Sequence, residues 1–228
     1  MSFKRHIPNT ITAFNILCGT LSIIAVFHWN LQIAAYFIFA GAVFDFFDGF
    51  VARLLKVSGA FGKELDSLCD VVTFGVAPGM IVYKMLFDNF GAVSWVPFLA
   101  LLIPVFSALR LAKFNLDERQ TTGFIGLPTP ANALFFAGIS FINAPFFLSL
   151  LSWQWLLPIL TILFSFLLIA EVPLMSLKFK NFRFKENIIR YIFLFCALLL
   201  IIVFTNNALP SIILIYILIS LISNFIKK

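Results

Sequence analysis

The sequence predicts an all-α integral membrane protein: a polytopic helical bundle of about eight transmembrane helices with both termini on the cytoplasmic side. Three observations carry that prediction. Hydrophobic residues make up 62% of the 228 and charged residues only 11%, with a mean hydropathy of +1.05, outside the range of water-soluble globular domains. Apolar runs of spanning length follow one another along the chain. The basic residues gather on alternate connections, as the positive-inside rule requires. The 31 phenylalanines and long Leu/Ile runs suit helices better than an outer-membrane barrel, whose strands alternate apolar and polar residues.

Taken in order, the first run is 11–28. Lys4 and Arg5 precede it, but further spans follow and no small-residue cleavage site stands out, so it reads as a retained span rather than a signal peptide. Runs 31–52 and 66–87 are joined by the short polar connection from Arg53 to Lys63, which makes them antiparallel neighbours. The run 92–114 ends on Arg110 and Lys113, and 129–149 opens on Thr129-Pro130, an N-cap followed by proline at the first turn. The run 153–175 carries Glu171 and Pro173 near its end, Glu171 having no obvious partner. The runs 187–205 and 208–226 are separated by a tight turn around Asn206, Asn207 and Pro210.

On this map every one of the 16 Lys and Arg residues except Lys84 falls on one face, which is therefore assigned to the cytoplasm. Trp29, Trp95, Trp153 and Trp155 lie toward the other interface, as an aromatic belt would. His6 and His28 read as interface residues near opposite faces, and the stretch from Lys178 to Arg190 as a contact for anionic lipid. The net charge of +6 could suggest nucleic acid, but it is dispersed over short loops, so no nucleic-acid partner is expected. Cys18, Cys69 and Cys196 have no metal-type spacing and read as buried thiols. Without a repeat or low-complexity linker, one membrane domain, 1–228, accounts for the chain.

Four aspartates stand out against this background. Asp45, Asp48, Asp66 and Asp70 follow the pattern D-x2-D-G-x2-A-R-x8-G-x3-D-x3-D, with Gly49, Ala52, Arg53 and Gly62 at the other fixed positions. Each would cost about 2.5–3.5 kcal/mol at the centre of a lipid-facing helix. Asp45 and Asp48 are spaced i, i+3 and Asp66 and Asp70 i, i+4, so each pair shares a helix face and the antiparallel spans can bring all four to one pocket. Hard oxygen donors at this density invite Mg²⁺, Mn²⁺ or Ca²⁺, and without a cation their repulsion would force some to hold protons. A cation transporter or channel would be the competing class, but such proteins tend to place ionisable groups near the midplane on broken helices in paired halves.

This eight-position pattern resembles the signature of the CDP-alcohol phosphotransferase family, membrane enzymes that join an alcohol to the phosphatidyl group of a CDP-activated lipid. Within it the chain most resembles the phosphatidylserine synthases, through Ile7-Pro8-Asn9-Thr10, the stretch from Asp66 to Pro78, Arg110-Leu111-Ala112-Lys113-Phe114-Asn115 and Gly126-Leu127-Pro128-Thr129-Pro130. Roughly the first 135 residues carry the resemblance; Cys69, where such enzymes often have a smaller residue, is a mild departure.

The resemblance implies a six-span core over 1–176 with two additional spans over 187–226. It also implies transfer of the phosphatidyl group from CDP-diacylglycerol to L-serine, releasing CMP, on the cytoplasmic side of the cell (inner) membrane. Two divalent cations, Mg²⁺ or Mn²⁺ with Ca²⁺ as a non-productive occupant, would be held by Asp45, Asp48, Asp66 and Asp70. Asp70 would also be the base for the acceptor hydroxyl. Gly49, Ala52, Arg53 and Gly62 become nucleotide and diphosphate contacts, joined by Asn9 and Thr12, for which helix capping is the competing explanation.

An acceptor carboxylate calls for a cation, and Arg110 is the first candidate because a guanidinium grips it bidentately, a topology-setting charge at the interface being the competing explanation, with Lys113 and Thr129 as further acceptor contacts. A homodimer is implied by the resemblance alone. Acceptors other than serine (glycerol-3-phosphate, inositol phosphate, choline) and an ether-lipid donor are alternatives within the family.

Overall fold

The computed structural model describes residues 4, 6–57, 59–117, 124–143, 149–150, 153–175 and 184–226. Arg5, Arg119, Lys178, Lys180, Arg183, Lys227, Lys228 and the 144–148 part of the fifth predicted span lie outside them. The described chain is helical almost throughout. Helix α1 is His6–His28, α2 is Leu31–Leu54, α3 is Ala60–Phe90 and α4 is Val96–Leu116, all long and apolar enough to cross a membrane. Two shorter helices follow, α5 (Thr129–Ile139) and α6 (Leu156–Ile169), then α7 (Phe184–Phe204), whose Asn187–Phe204 stretch is again long and apolar enough to cross, and α8 (Ala208–Ile226). Strands β1 (Phe124–Ile125) and β2 (Pro173–Leu174) pair antiparallel, Phe124 opposite Leu174.

Local chemistry sets the helix ends that matter. Asn30 caps α2, its side-chain oxygen accepting from the Ile33 amide at 2.7 Å. At the other end of α2, Lys56 adopts a φ of 53° and its amide bonds back to Arg53 O, turning the chain into α3 within a few residues. That tight connection makes α2 and α3 the antiparallel pair the sequence predicts. Inside α3 the ladder slips to a π turn over Val71–Val76, directly after Asp70.

Three expectations are corrected. The third span begins at Ala60, not 66, so Asp66 lies inside the helix. The fifth and sixth apolar runs are not helical throughout: α5 ends at Ile139, and α6 ends at Ile169, where Ala170 turns extended (ψ 140°) ahead of Pro173. Hydropathy does not mark these ends, because the chain stays apolar after it leaves the helix; Pro173 warns only of the second, since it steers Val172 away from helix. Finally, α1 starts at His6, so Asn9 and Thr12 sit within the helix and do not cap it.

The core has two parts. One, between α1, α2 and α3, is built on small residues and on Ile38, Phe74 and Ile81. The other joins α3, α4, α5 and α6 to the C-terminal helices around Phe135, Phe136 and Phe164, with Phe135 and Phe164 stacked at 3.9 Å between ring centroids. Bulky apolar side chains such as Phe27, Leu54, Phe195 and Ile202 point outward, as they would toward lipid. Glycines permit the closest approach: a Cβ on Gly19 would come within 2.8 Å of the Thr73 Cα, and one on Gly41 within 2.5 Å of the Thr73 side chain. Because the Gly19 contact is with backbone, Gly19→Ala is expected to lower stability by about 1–3 kcal/mol, read as a lower melting temperature of the detergent-solubilised protein.

Candidate active site

At the ends of α1, α2 and α3 lies a cavity of about 660 Å³, lined among others by Asn9, Thr12, Asp48, Gly49, Gly62 and Asp66. Ala52 also faces it. The site is built from the helix faces upward. Asp45 and Asp48, one turn apart on α2, meet Asp66 from α3, and the three offer carboxylate oxygens within 4.8 Å of one another. Asp70, one turn further along α3, is buried, and its charge is felt by Asp45.

Helix α1 supplies the polar partners. The Thr12 hydroxyl stands 2.6 Å from Asp48 Oδ2 and 3.1 Å from the Pro8 carbonyl, bridging α1 to α2. The Asn15 amide donates to Asp70 Oδ1 at 3.0 Å, bridging α1 to α3. Thr73, the residue that Gly19 and Gly41 admit, donates to the Asn15 carbonyl at 3.0 Å and locks the π turn to α1 beside Asp70. Asn15 was not among the residues singled out from the sequence. The available signal was its spacing, since Asn9, Thr12 and Asn15 stand at i, i+3 and i+6 on an otherwise apolar helix.

The remaining candidates divide clearly. Gly49 faces open space where its Cβ would be, whereas a Cβ on Gly62 would sit 3.4 Å from Asn9 Oδ1. Arg53 does not line the cavity; its Nε donates to the Gly49 carbonyl at 2.9 Å. Arg110, on α4, is 7% exposed and donates from Nη1 to Thr129 Oγ1 at 2.8 Å, while its Nε has no partner among the described residues. Thr129 is the first residue of α5 and makes no capping bond; its hydroxyl serves Arg110 instead, correcting the N-cap expectation. Lys113 pairs with Glu171 at 3.1 Å, so Glu171 does have a partner. Arg110 lies within electrostatic range of Asp70, which relates this second cluster to the first.

The acidic cluster fits a hard divalent cation. Its donors are all carboxylate oxygens, no Lys or Arg forms a salt bridge with them among the described residues, and Asp66 Oδ1 is buried without a hydrogen-bond partner. Such a constellation can bind a polyphosphate through metal on one side and hold a nucleophile against it on the other.

Comparison with known proteins identifies relatives by sequence. A family model described as CDP-alcohol phosphatidyltransferase matches residues 5–167. The CDP-diacylglycerol–serine O-phosphatidyltransferase of Bacillus subtilis is 39% identical over 150 residues, 64% of this chain and 81% of that protein. Its namesake in Methanocaldococcus jannaschii is 34% identical over 187 residues, 82% of this chain and 79% of the other. The Helicobacter pylori protein of the same name is 40% identical over 129 residues, 56% of this chain and 54% of its own length.

With carboxylates as the only charged donors, the purified protein is expected to bind Mn²⁺ in the absence of substrate. Asp66→Asn should weaken that binding at least about tenfold, as read by titration calorimetry.

Proposed function

We propose that this chain, which belongs to the CDP-alcohol phosphatidyltransferase family, transfers the phosphatidyl group of CDP-diacylglycerol to the hydroxyl of L-serine, giving phosphatidylserine and CMP. The observation that carries this reading is the convergence of Asp45, Asp48 and Asp66 beside a cavity large enough for a nucleotide, with Asp70 next to them and a buried guanidinium on the neighbouring helix. The names of the relatives from Bacillus subtilis and Methanocaldococcus jannaschii support serine as the acceptor.

In this reading Asp45, Asp48, Asp66 and Asp70 hold two divalent cations, Mg²⁺ or Mn²⁺, which when bound neutralise the diphosphate and stabilise the departing phosphate of CMP. Gly49 and Ala52 leave room for the nucleotide at the cavity wall, Gly62, Asn9 and Thr12 complete it, and Arg53 stiffens the end of α2 that carries Gly49. Asp70 is the general base. Asn15 fixes its Oδ1, leaving Oδ2 to take the serine proton as the hydroxyl oxygen bonds to the phosphorus that carries diacylglycerol and the bond to CMP breaks.

Arg110 receives the serine carboxylate. Thr129 holds one arm of its guanidinium while Nε stays available, and because Lys113 is met by Glu171 there is less positive charge to attract a phosphorylated acceptor. We further propose eight spans, both termini and the site on the cytoplasmic side of the cell membrane, and a homodimer.

An acceptor panel tests the assignment: CMP release from CDP-diacylglycerol should be supported by serine and not by glycerol-3-phosphate, inositol phosphate or choline, and a different winner would replace serine. EDTA should abolish release and Mg²⁺ or Mn²⁺ restore it; full activity in excess chelator would remove the metal from the mechanism. Asp70→Asn should lower turnover by about a hundredfold or more while CDP-diacylglycerol still binds. Arg110→Gln should raise the KM for serine by about tenfold or more, Arg110→Lys by less, with the KM for CDP-diacylglycerol little changed.

A further inference from the structure

The last helix lies beyond the residues 5–167 that match the family, yet it carries a polar stripe on an apolar element. Tyr216, Ser220 and Asn224 stand at i, i+4 and i+8 on α8 and so share one face. The Tyr216 hydroxyl donates to the Met175 carbonyl at 2.8 Å, Ser220 Oγ accepts from the Met175 amide at 3.2 Å, and the Asn224 amide donates to the Pro173 carbonyl. Extended backbone in an apolar setting must find such partners or leave its polar groups unsatisfied. Tyr216 and Ser220 are themselves buried, at 5% and 1% exposure, so the clasp is an interior one.

The clasped segment leads to the acceptor side of the site. β2 pairs with β1, the Gly126 amide donates to the Val172 carbonyl at 2.9 Å, and the Leu127 amide donates to the Leu167 carbonyl at 2.8 Å. Gly126, at a φ of 79°, comes so near that a Cβ would stand 2.5 Å from the Leu168 carbonyl oxygen. Two residues after Leu127 comes Thr129, which holds Arg110, and immediately before Val172 comes Glu171, which holds Lys113. The C-terminal hairpin is in turn anchored on α5 and the residues just after it: Asn207 and Asn143 exchange two hydrogen bonds at 2.8 and 3.0 Å, and Pro210 packs where Gly138 has no side chain. The Tyr216 hydroxyl lies within electrostatic range of Arg110 as well.

We infer that the C-terminal hairpin sets the position of the acceptor-binding half of the site, with Tyr216 and Ser220 as positioning residues that act through the 171–175 and 124–129 segments on Thr129 and Arg110. The inference rests on Arg110 and Thr129 being the acceptor contacts, as proposed above. It assigns a task to two spans that carry no signature residue.

The test uses the full chain with Tyr216→Phe and Ser220→Ala, singly and together, each removing a hydrogen bond with little change of volume. The KM for serine should rise roughly fivefold for each bond lost, with the KM for CDP-diacylglycerol and turnover at saturating serine close to the parent. In the Arg110→Gln background the same substitutions should add little, because the group they position is gone. Hydrogen exchange, measured without substrate, should quicken at 126–129 and 172–175 and stay unchanged over 6–57. An unchanged KM for serine, a parallel rise in both Michaelis constants, or full additivity with Arg110→Gln overturns the positioning role. If the parent turns over a different alcohol, serine is wrong as the substrate and the comparison is made with that alcohol instead, so the two failures are told apart.

Discussion

The central constraint on this structure is the placing of four carboxylates among apolar helices. Carboxylates removed from water lose hydration worth several kcal/mol each, and their mutual repulsion adds to that cost. Helix α1 offsets part of it with a Thr12 hydroxyl on Asp48 and an Asn15 amide on Asp70. Those contacts require α1 to lie close against both α2 and α3, which Gly19 and Gly41 allow by leaving space for Thr73. The glycine contacts, the π turn and the polar face of α1 therefore work together. Together they bring the Thr12 and Asn15 donors to acidic groups, and the cluster that remains, with an unpartnered oxygen on Asp66, has the donor set that suits a divalent cation.

The site has two halves that depend on different parts of the chain. The acidic half is local: Asp45 to Asp70 sit on a helical hairpin closed by a tight turn at Lys56, and α1 covers it. The cationic half is assembled from distant segments, with Arg110 on α4, Thr129 on α5 and Glu171 after α6, and it needs the strand pair and the C-terminal hairpin to bring them together. A half built locally can keep its geometry while the other adjusts. That division suits a family whose members share a nucleotide-lipid donor and differ in the alcohol.

Much of the acidic half was legible in the sequence, because its information is short-range. Helical spacing alone pairs Asp45 with Asp48 and Asp66 with Asp70, and a short polar connection makes the two helices antiparallel. Asn15 was missed because a single amide in an apolar span gives no sign of which residue, 55 positions away, will accept from it. The capping explanation weighed for Thr12 and Thr129 is a local one, and their hydrogen-bond partners, Asp48 and Arg110, lie on other helices where such reasoning does not reach. The ends of α5 and α6 were overrun because hydropathy reports burial in lipid or core and is indifferent to whether the backbone is helical. Only Pro173 marked the extended segment that the last helix clasps.

Helix length bears on where the chemistry can occur. At 1.5 Å per residue, the 31 residues of α3 extend about 46 Å, against a hydrocarbon core of about 30 Å, so its ends must project into the interfacial regions or the helix must tilt. Lys63, Glu64 and Ser67 accompany Asp66 on its first turns, and Asp66 lies only about 9 Å along the helix from Ala60. That place near the start of the helix favours the boundary zone for the acidic cluster over the bilayer centre, where its cost would be greatest. A reaction between a lipid whose acyl chains cannot leave the membrane and a water-soluble alcohol must occur at such a boundary. On the proposed function, such a position would both lower the energetic cost of the carboxylates and give the two substrates access to them.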